Sequence, residues 1–463
     1  MAGGGLPRVS AARPLGFTRA CPAVTPRAGR ASVGVRPHAR AAVRALLPRP
    51  TAVIALAPDA LPFTGQAPAA PRRTLRVLVG VQDEGMNGVE SYAEQVALAA
   101  CAAGHRTTLL VTNARVADAV RARVAGSGVH VVDAGLAPAS AAQVLAERLA
   151  PALATRRVGR AVRRLVHDGL TGFDVVHLNR ARLAPAVQGA APRVFCAGWF
   201  YPHAAAPRLT ETWRHTRGAA PRRLALTAKS LLYYLGDARG YQAVTAVVAC
   251  TETLAAQLRA RGVPAAACPP PVRVDAERAD ASPDDGGPLA LLVCSGDLSH
   301  PRKNLGDAVR AAALLARPDR PVVLRAIGHG AGALPAPHHP HLRVECLGPL
   351  PPAEVRREMR RAHAFLLPSL YEEWGYVAVE SILSGTPVVA YPVYPFADML
   401  ADGLGAVATA MTVEAFAAAV GVVVDQGAAG ATRRGPALAA AGARRFGPVA
   451  VGARLTSIWD EHP

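Results

Sequence analysis

The chain of 463 residues is 51% apolar, which suffices for two globular domains with separate hydrophobic cores. No apolar run reaches the roughly 18–20 residues needed to span a bilayer, so we expect a soluble protein that is at most peripheral to a membrane. Its expected location is the cytoplasm. The net charge of +19 comes mainly from arginine spread along the chain without a recognition motif, which argues against nucleic acid as a partner.

Residues 1–73 are rich in Ala, Pro and Arg and have no sustained periodicity. They hold eleven Arg and one acidic residue, Asp59, so they carry 11 − 1 = +10 of the net charge, and the remainder carries 19 − 10 = +9. We predict a disordered extension or a start codon placed too far upstream, although an acid-poor, Arg-rich segment also resembles an organelle transit peptide.

Residues 74–274 alternate between short apolar strands and helical segments, as expected of an N-terminal domain built on a parallel sheet. The first strand stops at Gly80, a glycine-containing loop follows, and apolar residues then repeat at helical spacing up to Gly104. The predicted strands of this domain are 75–80, 107–112, 129–132, 175–178, 193–196 and 246–250.

A polar, turn-rich stretch at 275–288 is the predicted hinge, and the alternation restarts in a C-terminal domain at 289–445. The predicted strands there are 289–295, 322–327, 364–368 and 387–391, and the predicted helices are 307–316, 352–363 and 377–384. Two successive strand–helix series predict an α/β protein with two Rossmann-like domains, whose ligands bind in a cleft at the carboxyl ends of the strands.

The seven cysteines are widely scattered, without a C-x-x-C pair or a Cys/His cluster at metal-ligand spacing. Their odd number suits reduced thiols better than a disulfide framework. We therefore expect neither disulfides nor a structural metal site.

Residues 366–380 contain the most informative motif, two glutamates eight residues apart around a glycine. A strand ends at Ser369, a loop carries Glu372, and Gly375 permits close backbone approach before a helix that carries Glu380. The first amides of that helix favour hydroxyl or phosphate oxygens, and Glu380 can accept hydrogen bonds from the two vicinal hydroxyls of a ribose. On its own the spacing also fits two glutamates that only favour a helix dipole.

This motif, followed by Ser384-Gly-Thr-Pro-Val-Val-Ala390, resembles the signature of the retaining GT-B glycosyltransferases of family 4. The likeness extends over residues 75–460. Its other landmarks are Val81–Gly104, Phe173–His177, Val248–Glu252 and a final helix, within 446–463, that crosses back onto the N-terminal domain.

The resemblance implies a GT-B fold and a retaining transfer from a nucleotide-diphosphate sugar. The nucleotide sugar is a substrate, so no cofactor is expected. The acceptor stays unknown (a glycan, a lipid-linked or a small molecule), and polysaccharide biosynthesis is the expected setting.

The resemblance also assigns roles to the residues of the motif. In the family the first glutamate, here Glu372, lies against the donor sugar, and the second, here Glu380, holds the nucleotide ribose. The backbone that contacts the sugar hydroxyls corresponds here to Glu373, Trp374, Gly375 and Tyr376.

The family's diphosphate clamp joins a Gly-Arg pair to a Lys six residues after the Arg. Here Gly296 and Lys303 match, whereas Asp297 replaces the arginine and Arg302 would supply the missing charge. In a chain that uses Arg almost everywhere, Lys303 indicates a demand for a compact ammonium. Such a clamp stabilises a departing diphosphate without a divalent metal. The amides expected to complete it lie near Gly328 and Gly330.

In the N-terminal domain, Asn87-Gly88 stands where the family usually has Gly-Gly and would face the donor phosphate. Family members carry a catalytic histidine after the strand at 193–196. Here His203 fills that role from a displaced position, or Trp199 occupies the place instead. His177 is interpreted as a structural residue at a strand end.

A basic segment at 156–165 carries Arg156, Arg157, Arg160, Arg163 and Arg164 between apolar residues. It predicts either a solvated helix face or peripheral contact with the inner face of a membrane.

Two alternatives to an active glycosyltransferase were weighed. A nicotinamide-dependent oxidoreductase requires G-x-G-x-x-G after the first strand, and Gly80-Val-Gln-Asp-Glu-Gly85 does not match. A catalytically inactive glycosyltransferase-like binding subunit stays open because of Asp297 and the segment near Trp199.

Overall fold

The computed structural model describes residues 73–82, 88–111, 114–134, 159–160, 163–165, 172–187, 191–199, 220–273, 283, 286–330, 339–428 and 434–462. Several predictions lie outside these residues: those for Asn87, for His203, for the extension at 1–72 and for most of the hinge at 275–288.

In this described part of the chain, seven strands form the first sheet: β1 (Arg76–Gln82), β2 (Arg106–Val111), β3 (His130–Asp133), β4 (Val175–Leu178), β5 (Arg193–Gly198), β6 (Ala246–Ala249) and β7 (Ala265–Ala267). Their spatial order is β3-β2-β1-β4-β5-β6-β7, and every pairing is parallel. The helices of this half are α1 (Gly88–Ala102), α2 (Ala114–Arg123), α3 (Ala184–Val187), α4 (Ala220–Tyr241) and α5 (Glu252–Arg259). We name this half the N-terminal lobe.

Across the same described ranges, six strands form the second sheet: β8 (Leu289–Asp297), β9 (Val322–His329), β10 (Leu342–Gly348), β11 (Ala364–Leu367), β12 (Val388–Ala390) and β13 (Gly405–Val407). They are again all parallel, in the order β10-β9-β8-β11-β12-β13. The helices of this C-terminal lobe are α6 (Leu305–Leu315), α7 (Pro352–Arg360), α8 (Tyr376–Leu383), α9 (Phe396–Met399), α10 (Val413–Ala428) and α11 (Gly435–Phe446), and α12 (Pro448–Glu461) ends the chain.

Two parallel sheets flanked by helices confirm the predicted α/β architecture. The central strands were predicted because they are apolar on both faces, as parallel strands covered by helices must be. In β1, for example, Val77, Leu78 and Val79 are at most 2% exposed.

The sequence prediction missed the strands β7, β10 and β13, and each of them lies at the edge of a sheet. Strand β7 consists only of alanine, β13 has three residues, and β10 carries the partly exposed ion pair Arg343–Glu345. An edge strand is paired on one side only and needs no continuous apolar run, so a search for apolar runs does not detect it.

The last helix, α12, packs on the N-terminal lobe, as predicted for the C-terminal helix. A Cβ atom on Gly452 would lie 2.3 Å from the carbonyl oxygen of Ala99 in α1, so glycine is required for this close approach. Two histidines of the N-terminal lobe hold the helix: His105 is hydrogen-bonded to Thr456 at 2.7 Å, and Trp459 donates to His177 at 3.3 Å.

His177 is buried and hydrogen-bonded through both ring nitrogens, which supports the structural role inferred from the sequence. The indole of Trp459 can only donate, so Nδ1 accepts and the ring hydrogen sits on Nε2, 2.8 Å from the Tyr92 hydroxyl. Burial lowers the pKa of His177 to about 3, so the ring is neutral.

This pKa predicts acid destabilisation through His177. An unfolded imidazole titrates near 6.5, so between that pH and about 3 the unfolded state holds one more proton than the folded state. The contribution of the neutral His177 to folding stability is complete above pH 6.5 and is lost progressively as the pH falls below that value. Relative to His177→Gln, the wild-type unfolding free energy in urea should fall by up to about 1.4 kcal/mol per pH unit. Parallel pH profiles for the two proteins would contradict this.

Candidate functional site

The two glutamates of the motif lie on a loop and a helix at the carboxyl end of β11. Residues 368–375, which we name the glutamate loop, connect β11 to α8. Gly375 has φ 85°, a left-handed conformation that favours glycine, and it ends the loop immediately before the helix. The amide of Ala378 in the first turn of α8 donates to the Gly375 carbonyl at 2.9 Å, whereas the amides of Tyr376 and Val377 precede any acceptor within the helix.

The carboxylate of Glu372 is only 6% exposed and contacts two cations. The ammonium of Lys303 binds Oε1, and Nη1 of Arg302 lies 3.3 Å from Oε2. Ser369 donates a hydrogen bond to Oε1 at 3.2 Å. The structure thus brings Glu372, Lys303 and Arg302 into one pocket, where the three charges sum to +1.

The loop that carries the two cations is tied to the glutamate loop through its backbone. The amide of Leu370 donates to the carbonyl of Arg302 at 2.9 Å. After Lys303 the chain turns at Asn304, which has φ 51°, and the side-chain amide of Asn304 donates to the Asp307 carboxylate. Tyr391 also donates to Asp307, at 2.7 Å. Asp307 therefore anchors the turn that aims Lys303, a role that the sequence analysis missed because nothing in its spacing indicates it.

Asp297, which stands where the resemblance expects an arginine, lies on the exposed surface. Its carboxylate accepts hydrogen bonds from the amide and hydroxyl of Ser299 at 2.8 and 2.6 Å, and these bonds lower its pKa. Asp297 thus closes its own turn. Arg302 stands beside Glu372 instead and places a second positive charge in the pocket.

The glycines predicted for the clamp have different environments. A Cβ atom on Gly328 would lie 1.8 Å from the carbonyl oxygen of Ser295, so the ends of β8 and β9 approach as closely as glycine allows. Gly330 has φ 77° and packs against Ser299. Gly296 has open space beside it.

Glu380 lies on α8 in a partly buried position. Burial raises the pKa of its carboxyl to about 7, and the positive charge of Arg356 opposes that rise. Burial raises the pKa of the Cys294 thiol in β8; the charge of Glu380 raises it further, and that of Lys303 lowers it.

Of the other residues in the glutamate loop, Trp374 directs its side chain into the protein. It is 3% exposed and packs edge-on against Phe446 at 6.0 Å. The hydroxyl of Tyr376 is also buried, and burial raises its pKa well above the ordinary value.

On the N-terminal lobe, Trp199 is held at the end of β5. Its indole donates to the carbonyl of Asn179 at 3.1 Å and meets Tyr92 edge-on at 4.9 Å. Gly88 is the first residue of α1.

The sequence analysis missed an ion pair on this lobe, between Arg182 and Asp237. Arg182 Nη1 lies 3.5 Å from the Asp237 carboxylate, and the Arg182 amide donates to it at 3.2 Å. Burial raises the pKa of Asp237, and the positive charge of Arg182 together with the hydrogen bond from its amide opposes that rise.

Among the described residues, no group of three His, Cys, Asp or Glu side chains could hold a metal ion. Nor does that part of the chain contain a helix with the length and apolarity to cross a membrane. In the predicted basic segment, Arg160, Arg163 and Arg164 are described and exposed.

Two family models match the chain in succession. "Glycosyl transferase 4-like domain" matches residues 87–269, and "Glycosyl transferases group 1" matches residues 290–426. A curated 2-deoxystreptamine glucosyltransferase from Streptomyces kanamyceticus is 35% identical over 141 residues. That match spans 27% of this chain and 36% of the relative.

Solved structures resemble the chain over most of its length. The lipopolysaccharide outer core galactosyltransferase WaaB, in its apo form, gives a TM-score of 0.55 at 12% identity, covering 84% of this chain and 100% of that one. Anabaena Alr3699/HepE in complex with UDP and glucose gives 0.52 at 15% identity, covering 84% and 100%. Sucrose-phosphate synthase from Thermosynechococcus elongatus gives 0.55 at 15% identity, covering 84% and 99%. These likenesses confirm the predicted GT-B fold.

The pocket predicts energetic coupling between Lys303 and Glu372. Their side chains are 14% and 7% exposed, and removing one partner of a buried pair leaves the other uncompensated. In a double-mutant cycle with Lys303→Met and Glu372→Gln, unfolding free energies should give a coupling of about 1–3 kcal/mol. The exposed pair Arg320–Asp425 is the control and should couple by less than about 1 kcal/mol. Additive effects at the first pair would contradict the prediction.

Proposed function

We propose that this chain, which belongs to the group 1 glycosyltransferases, transfers a sugar from a nucleotide-diphosphate donor with retention of anomeric configuration. The observation that carries the proposal is that the buried carboxylate of Glu372 forms ion pairs with Lys303 and Arg302 beside the N-terminus of α8. In this proposal residues 289–445 bind the donor, and residues 74–274 bind the acceptor.

Lys303 and Arg302 are proposed to stabilise the diphosphate as it leaves. Negative charge develops on the leaving group in the transition state, and fixed cations in a water-poor pocket stabilise it without reorganising. Both cations contact Glu372, so a diphosphate that binds them would compete with the carboxylate and release it toward the sugar. No divalent metal is required by such a clamp.

Glu380 and the backbone from Glu373 to Tyr376 are proposed to hold the rest of the donor. An ionised Glu380 can accept hydrogen bonds from both ribose hydroxyls, and amides at a helix N-terminus suit sugar or phosphate oxygens. His203 and Asn87-Gly88 remain candidates on the opposite lobe.

UDP-glucose and 2-deoxystreptamine are the first donor and acceptor to test. Similar folds have been solved with UDP and with UDP-glucose, and the curated relative is a 2-deoxystreptamine glucosyltransferase. A glycan or a lipid-linked acceptor, with peripheral membrane contact in the cytoplasm, is the further option.

A catalytically inactive binding subunit is the second candidate. This candidate is favoured by Asp297, which is exposed and accepts a hydrogen bond from the Ser299 amide, because the resemblance expects an arginine cation at that position. Nucleotide binding without donor turnover would identify this case.

Purified protein should hydrolyse UDP-glucose slowly to free UDP, and Glu372→Gln should lower that rate at least about 100-fold, the range found for removing one electrostatic stabiliser. Release of UDP measures the rate. Glu414→Gln, an exposed glutamate in the first turn of α10, is the control and should match the wild type. Equal hydrolysis by both variants would refute the role of Glu372.

The affinity for UDP should rise with pH through about 7, because the ionised form of Glu380 accepts from the ribose. Below that pH the carboxyl must first lose its proton, so affinity should fall up to about tenfold per pH unit. Titration calorimetry from pH 6 to 8 measures this. Glu380→Gln should retain only the pH dependence of the diphosphate itself, and identical profiles for both proteins would exclude the ribose contact.

A further inference from the structure

A chain of hydrogen bonds connects the two lobes beside the glutamate loop. Tyr394, which follows β12 in the C-terminal lobe, places its hydroxyl 2.8 Å from the Cys250 thiol and 3.3 Å from the Thr251 hydroxyl. Cys250 and Thr251 follow β6 in the N-terminal lobe and are 4% and 5% exposed. The Cys250 sulfur in turn lies 3.9 Å from the carbonyl oxygen of Glu373.

The direction of each hydrogen bond in this series is defined. Thr251 donates to the Tyr394 oxygen, so the single Tyr394 hydrogen is available to the Cys250 sulfur, and the single Cys250 hydrogen is directed to the Glu373 carbonyl. Burial raises the pKa of the Cys250 thiol to about 12, so it keeps the hydrogen that it donates. The chain therefore ends on the backbone of the glutamate loop.

A second contact holds the same two segments together. The amide and hydroxyl of Thr253 both donate to the Asp398 carboxylate at 2.9 Å. Asp398 thereby satisfies a first-turn amide of α5, and its negative charge suits the positive end of that helix. The segment that carries Tyr394 is thus fixed against the end of β6 at two points.

We propose that Cys250 is a positioning residue for the donor. A peptide unit is planar, with its carbonyl and N–H pointing in opposite directions. A thiol that donates a hydrogen bond to the Glu373 carbonyl therefore also sets the direction of the Trp374 N–H. The residue that carries this N–H is fixed at its side chain as well, because the Trp374 indole packs on Phe446. The N-terminal lobe thereby orients the Trp374 amide, two residues before α8. This inference rests on the proposed function, in which the backbone from Glu373 to Tyr376 contacts the sugar donor.

The test compares Cys250→Ala, Cys250→Ser and Tyr394→Phe with the wild type in UDP-glucose hydrolysis and UDP binding. Cys250→Ala removes the thiol that donates the hydrogen bond. It should raise the KM for UDP-glucose and the Kd for UDP by about three- to tenfold, the equivalent of one ordinary hydrogen bond, with kcat changed less than twofold. Cys250→Ser retains a hydrogen and should restore most of the affinity. Tyr394→Phe should cause a smaller rise.

Cys268→Ala is the matched control. Cys268 is a buried thiol of the same lobe that makes a similar contact, 3.8 Å to the carbonyl of Pro269, its own neighbour in the sequence. Melting temperatures separate packing from positioning, since both alanine variants lose a buried thiol. Equal KM values for Cys250→Ala and Cys268→Ala, or no rescue by serine, would overturn the positioning role alone. Wild-type protein that bound neither UDP nor any other nucleotide diphosphate would overturn the proposed function as well.

Discussion

The parallel direction of every strand in the second sheet places the residues of the site together. A parallel strand needs a crossover before the next strand can pair, so all carboxyl ends are collected at one edge and the connections of that edge meet there. Strands β9, β8, β11 and β12 are consecutive neighbours in space. Gly330, Lys303, Glu372 and Tyr394 follow these four strands and are therefore collected at one edge of the sheet despite wide separation in sequence.

Electrostatics then determine what this edge can bind. The carboxylate of Glu372 is satisfied by two cations and a hydroxyl, so its burial is compensated within the protein. The carboxyl of Glu380 has a single opposing charge nearby, that of Arg356, and burial raises its pKa to about 7. Two glutamates on one short segment thus have different properties, and the difference arises from their surroundings.

The lobes are joined by apolar packing as well as by directed bonds. One continuous cluster of buried apolar residues runs from the first sheet through α12 to one face of the second sheet, and it includes Val77, Trp459, Phe446 and Phe365. His105 and His177, both neutral because of burial, fix the returning helix by hydrogen bonds to Thr456 and Trp459. Asp398 and Tyr394 add polar contacts near the site. The geometry of the cleft therefore depends on both lobes.

The sequence by itself determined the central strands, the returning helix, the pair Glu372 and Glu380, and Lys303. These features depend on local pattern: apolar runs for strands buried on both faces, and a motif confined to fifteen residues. Only the tertiary structure decided the edge strands, the use of Arg302 while Asp297 closes its own turn, and the partners Asp307, Asp237 and Cys250. Those roles arise from contacts between residues far apart in the chain, and neither composition nor spacing encodes which distant side chain a buried polar group will meet.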